Sequence, residues 1–214
     1  MRPALVLCNG EPPSRTLIRR LVRAAGLFVA ADGGANAAAR LGVRPDVIIG
    51  DLDSITPATR RRFREATVLY SSRQDNTDLE KALDFLVARG CRRVTVAGAA
   101  GRRIDFTIGN LSVAWRYADR LAVEFAGDDW TAMPVGKSRI VHARPGTVVS
   151  LLPFGRCSGV TLRGLEYPLT DAAMDVGHIG VSNVVRRSPF SVRVARGAML
   201  MVVLAPPFPL LRRG

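Results

Sequence analysis

Two aspartates one residue apart, Asp51 and Asp53, close the stretch DVIIGDLDSI, Asp46–Ile55, directly after a short apolar run. Paired carboxylates suit a hard cation, and magnesium is commonly held by only one or two of them together with substrate phosphates. In an extended chain the i, i+2 spacing points Asp51 and Asp53 the same way and turns Leu52 towards the core. The alternative is that one of them bonds its own backbone as a turn cap. Six further acids also follow apolar runs: Asp32, Asp75, Asp78, Asp105, Asp128 and Asp129.

The elements that must position these acids are legible as alternating patterns. Ala4–Leu7, Leu27–Ala30, Val47–Ile49, Val68–Tyr70, Val94–Ala97 and Ala122–Phe125 read as buried strands. Between them TLIRRLVRAAG, TPATRRRFREA and NTDLEKALDFLVARG show helical spacing with Arg or Lys opposite the apolar face. Strand and helix taking turns imply an α/β fold, a Rossmann-like, mostly parallel sheet with flanking helices, because parallel neighbours need crossovers. After about Thr131 short β-branched runs alternate with Gly, Pro and Ser turns, which predicts a smaller C-terminal antiparallel β-sandwich. The expected domains are residues 1–130 and 136–214, with the boundary near Trp130 to Gly136. Ligands of open α/β sheets bind beyond the carboxyl ends of the strands, so the eight acids are expected to converge on one rim.

Each motif has a plainer reading as well. In ADGGAN, Ala31–Asn36, Gly33 and Gly34 permit close backbone approach to a ligand and an open helix N-terminus, but the same pattern serves a tight turn. In NTDLE, Thr77 and Glu80 fit a capping box, and Asp78 suits a helix dipole without further role. In GAAGRRIDFTIGN, Gly98–Asn110, Arg102 and Arg103 offer forks for phosphate oxygens or are simply solvated. VGKSR, Val135–Arg139, is no phosphate loop, since Thr131 stands where the first glycine is required and an extended segment follows.

Composition narrows the classes. The 214 residues carry 31 Lys+Arg against 18 Asp+Glu, a net charge of +13, yet only Lys81 and Lys137 are lysines. Scattered arginines with two tryptophans describe a solvated surface better than a nucleic-acid footprint, so no nucleic acid is expected, although a basic nucleic-acid-binding protein is the reading of a different class. Cys8, Cys91 and Cys157 are widely spaced, and His142 and His178 are the only histidines, which argues against a zinc site and for a reducing compartment. No signal peptide or membrane-spanning run is legible, so a cytoplasmic protein without membrane contact is expected.

In this order ADGGAN, RPDVIIGDLDSI, QDNTDLEKAL, GRRIDFTIGN and GVSN closely resemble the thiamine pyrophosphokinase (thiamine diphosphokinase) family over almost the whole chain. The resemblance implies transfer of pyrophosphate from ATP to the hydroxyl of thiamine, giving thiamine diphosphate and AMP, with Mg2+. It also implies a homodimer with active sites between subunits. It assigns Asp51 and Asp53 to magnesium and catalysis, and Asp78 and Asp105 to catalysis. It assigns Asp32, Asn36, Asp75, Thr77 and Arg103 to ATP, and Ser182 and Asn183 to thiamine. Departures are Arg102 for the family's second glycine, Phe106 for histidine, and Val184 where the tail motif has an acid. The close rival is a pyrophosphokinase of another heteroaromatic alcohol, such as a hydroxymethylpterin.

Overall fold

A computed structural model of the chain describes residues 2–71, 75–178 and 180–204. The chain divides into two compact units, Met1–Asp128 and Asp129–Gly214.

The first unit alternates strand and helix throughout: β1 (Ala4–Leu7), α1 (Arg15–Ala24), β2 (Leu27–Ala31), α2 (Gly34–Leu41), β3 (Val47–Gly50), α3 (Pro57–Arg62), β4 (Thr67–Tyr70), α4 (Asp78–Ala88), β5 (Arg93–Ala97), α5 (Ile104–Tyr117) and β6 (Ala122–Ala126). The strands lie in the order β6-β5-β1-β2-β3-β4, and every pairing among them is parallel. Strands 1 to 4 therefore step one way across the sheet and strands 5 and 6 the other, which places a topological switch point between β1 and β5. Alternate residues serve alternate faces. Leu5, Leu7, Phe28, Ala30 and Ile48 share one core with Ile18 of α1, Ala35, Ala37 and Ala38 of α2, and Phe63 at the end of α3. Val6, Val29 and Ile49 are buried on the opposite face. There α4 packs over β1, β2 and β3 and buries Leu79, Leu83 and Leu86. The edge strand β4 is the exception to the buried pattern, with Val68 and Tyr70 exposed.

The second unit holds β7 (Trp130–Val135), β8 (Ser138–Val141), β9 (Val148–Pro153), β10 (Cys157–Arg163), β11 (Leu169–Met174), β12 (Asn183–Val184), β13 (Phe190–Arg193) and β14 (Met199–Leu204). Its strands pair antiparallel in the orders β12-β9-β14-β7 and β11-β10-β13-β8. One core joins the two layers: Val149, Leu151, Met199 and Met201 from the first meet Val160, Leu162, Phe190 and Val192 from the second. This is a sandwich. The stretch expected as a boundary, Trp130–Val135, is instead a full strand paired along its length with β14. Its Trp, Thr and Val suit a pleated surface, and the change of unit falls before them. No helix among the described residues is long and apolar enough to cross a membrane.

Candidate active site

A cleft of about 410 Å³ opens at the switch point, over the carboxyl ends of β1, β2 and β5. Its walls come from the turn after β1 (Cys8, Asn9, Gly10), from Asp32, from the start of α4 (Thr77, Asp78) and from the loop into α5 (Gly101, Arg102, Arg103). Diverging connections leave such a crevice in open α/β sheets.

One wall is acidic. Asp32, Asp51 and Asp53 each bring a carboxylate oxygen within 4.8 Å of the others. Asp32 is buried, takes φ 40° and donates its N–H to Ile49 O at 2.8 Å, which continues the β2–β3 ladder. Its Oδ1 is buried with no hydrogen-bond partner among the described residues. Such an orphan acceptor is costly unless a cation or donor meets it. Asp51 and Asp53 do not lie along an extended chain, contrary to the spacing argument. Strand β3 ends at Gly50, Leu52 takes φ 63°, and Asp53 N–H turns back towards Asp51 Oδ1 at 3.4 Å. Leu52 does face the core, where it packs with Ile55 against the α1–α3 cluster. The pair thus meets through a turn anchored by its apolar residue.

Asn36 of α2 holds that turn. Its Nδ2 donates to Ser54 O at 2.7 Å and its Oδ1 accepts from Thr56 N–H at 3.1 Å. Both ends of the amide are therefore engaged by the loop. The two glycines before it also serve the protein rather than a ligand. A Cβ on Gly34 would strike Leu7 O, and one on Gly33 would strike the Asn9 side chain, so the start of α2 lies directly against the end of β1. At Gly50 a Cβ would meet Asp32 Cβ at 2.8 Å and Asp78 Oδ1 at 3.2 Å, which shows how closely β3 passes between those acids.

Asp78 opens α4 behind a capping box. Thr77 Oγ1 accepts from Glu80 N–H at 3.3 Å, and Glu80 Oε2 accepts from Thr77 N–H at 2.9 Å. Glu80 is itself buried and paired with Arg116 of α5. Asp78 accepts from the buried Lys81 Nζ at 2.9 Å. Burial pushes the Asp78 carboxyl above the ordinary range, Lys81 pulls it back, and the charges of Asp32 and Asp51 add to the rise. Asp75 stands exposed two residues before the box. Cys8 lies buried on the floor, its thiol pushed up to about 12 by burial and by Asp78, so it is no nucleophile.

The opposite wall is basic. Arg103 forms a two-pronged pair with Asp105, Nε to Oδ1 at 3.1 Å and Nη2 to Oδ2 at 2.5 Å, and its guanidinium lies 4.4 Å from the Phe106 ring centroid. This pair holds the Asp105 carboxyl below the ordinary range. Arg102 Nη1 reaches Asn9 O at 3.2 Å and Asn9 Oδ1 at 3.3 Å. Asp128, expected on the rim, instead accepts from Ser14 N–H at 2.8 Å at the start of α1.

Ser182 and Asn183 lie in the second unit. Ser182 is exposed with φ 61°. Asn183 is buried: its Oδ1 accepts from Tyr167 N–H at 3.0 Å and its Nδ2 donates to Tyr167 O at 2.9 Å. Beside it Tyr167, Val181, Leu151 and Met174 line a second cavity of about 330 Å³. Sequence reasoning missed Asn9 and Lys81. The turn signal Asn9-Gly10 after β1 was readable, whereas the burial of Lys81 needed the fold.

An acidic and a basic wall thus face each other across the switch point of a parallel sheet, an arrangement suited to phosphate chemistry. Residues 18–125 match the family model "Thiamin pyrophosphokinase, catalytic domain", and residues 137–199 match "Thiamin pyrophosphokinase, vitamin B1 binding domain". The thiamine pyrophosphokinase of Bacillus subtilis (strain 168) is 26% identical over 82% of this chain and 86% of the relative. Thiamine pyrophosphokinase 1 of Oryza sativa subsp. japonica is 30% identical over 83% of this chain and 78% of its own. Among solved structures, the thiamin pyrophosphokinase of Geobacillus thermodenitrificans superposes with a TM-score of 0.82 at 24% identity, covering 97% of this chain and 100% of that one. The yeast enzyme gives 0.82 at 16% identity, covering 95% and 86%. The chain belongs to the thiamin pyrophosphokinase family.

Proposed function

We propose that this chain moves the terminal pyrophosphate of ATP onto the hydroxyl of thiamine, forming thiamine diphosphate and AMP, in the cleft between β1 and β5. The observation that carries the reading is the acidic cluster of Asp32, Asp51 and Asp53 beside Asp78, with Asp32 and Asp78 lining the switch-point cleft of a chain in this family. The donor set suits a divalent cation, because three carboxylates converge and Asp32 Oδ1 is buried without a hydrogen-bond partner among the described residues. We assign magnesium to Asp51 and Asp53, with Asp32 as a third holder. When bound, that ion offsets the negative charge of the phosphates.

The protein's own residues then align the reactants, the main requirement of phosphoryl chemistry. Asp78 is the favoured acceptor of the thiamine hydroxyl proton, since its carboxyl is held above the ordinary range. Asp105 is less suited, with both oxygens engaged by Arg103, and serves to orient that arginine. Thr77 and Asp75 flank Asp78 on the ATP side, and Asn36 fixes the loop that carries Asp51 and Asp53. Ser182 meets thiamine, while Asn183 shapes the neighbouring loop through Tyr167. The protein works in the cytoplasm as a homodimer whose sites lie between subunits, and its second unit supplies thiamine binding and dimerisation. Incubation with ATP, magnesium and thiamine tests the reaction: AMP and thiamine diphosphate should appear in equal amounts, and ADP as product would overturn it.

A further inference from the structure

The loop between β5 and α5 carries two adjacent arginines whose surroundings differ. Arg103 is committed to Asp105 and to the face of Phe106. Arg102 is not: no carboxylate among the described residues pairs with it, and the hydrogen bonds of its guanidinium to described residues run from Nη1 to Asn9. Its backbone lies at φ 57°, a left-handed conformation that long side chains seldom adopt, at a position where the family resemblance has glycine. Backbone strain of this kind persists only where the surroundings hold it, and it clusters at functional sites. Here Gly101 N–H donates to Thr107 Oγ1 at 3.1 Å and fixes the loop from one side, while Asn9 holds the guanidinium from the other. The guanidinium lines the cleft, facing a site read above as taking polyphosphate.

We propose that Arg102 is a specificity-determining contact for ATP, offering its remaining N–H groups to phosphate oxygens and setting this chain apart from relatives with glycine there. The inference rests on the ATP reading of the cleft. A guanidinium suits that task because its planar fork matches phosphate oxygens and its charge is permanent. The same charge repels the cationic thiazolium of thiamine, so the contact separates the two substrates. Asn9 acts as the positioning residue, aiming the fork without touching the nucleotide.

The test uses the full chain and MgATP without thiamine, with dissociation constants measured by calorimetry. Arg102→Gly suits the backbone, so the melting temperature should hold or rise while the Kd for MgATP rises about tenfold, the worth of one charge-assisted hydrogen bond. In turnover the KM for ATP should rise in step while that for thiamine does not rise. Arg102→Asn, which also tolerates the left-handed region, should behave alike. Unchanged MgATP affinity in both variants would overturn the proposal, as would losses of affinity that only track losses of melting temperature. Wild-type protein that binds no MgATP would remove the underlying reading itself, so the two failures are distinguishable.

Discussion

Asp51 and Asp53, assigned here to the metal, meet only because the chain turns through Leu52. Replacing either by Asn removes a charge while keeping its shape. Turnover should then fall by orders of magnitude, and circular dichroism should show the fold retained; near-normal formation of thiamine diphosphate would sink the assignment. Asp78 yields a prediction in pH. As a base it must be ionised, so the rate falls on acidification through its pKa, which lies above the ordinary carboxylate value. Lys81 lowers that pKa, so Lys81→Met should move the acid limb of kcat/KM to higher pH. An unmoved limb would place the base elsewhere. The residue types of this site were legible because carboxylates after apolar runs are conspicuous in a basic chain. Their local geometry was not, since the left-handed turn at Leu52 arises from packing against the α1–α3 core rather than from any preference of leucine.

Among elements, the strands of the first unit were readable to within a residue or so, because buried parallel strands are continuous apolar runs bounded by turn residues. The capping box of α4 was readable for a similar local reason. What sequence could not supply was the use each element makes of its neighbours. Asn36 looks like a ligand contact in its motif, yet it ties α2 to the loop after β3 by two hydrogen bonds. Each bond is worth about 1 kcal/mol net. Asn36→Ala should therefore loosen the loop and raise several-fold the magnesium needed for half-maximal rate, with the KM for thiamine little changed. A magnesium dependence equal to wild type would show that the loop holds its shape without the clamp. Glu80 has a comparable role, since its partner Arg116 links α5 to the turn that presents Thr77 and Asp78.

At the scale of the molecule, the strand order escaped sequence reasoning. Alternating βα units imply a parallel sheet, but nothing local says that the chain reverses direction after β4 and inserts β5 beside β1. That reversal creates the cleft and brings Arg102 and Arg103 opposite Asp32 and Asp78. The second unit was readable as antiparallel β, whereas Trp130–Val135, expected within the boundary stretch near Trp130 to Gly136, is a strand paired with β14. The family resemblance adds a prediction about assembly. Light scattering should give twice the 23.1 kDa chain mass, and dilution that yields monomer should lose turnover along with the dimer. Full activity in a monomer would contradict shared sites.

Asn9 touches both walls: its amide packs against Gly33 at the start of α2 and accepts from Arg102 on the far side. It is the gauge block of the slot. The backbone carries the same span, with Gly10 N–H donating to Gly98 O at 2.7 Å and Glu11 N–H to Ala100 O at 2.7 Å, and the Asn9 side chain extends it to Arg102. A substitution at this position, outside every acidic motif, therefore acts on the start of α2 and on Arg102 at once.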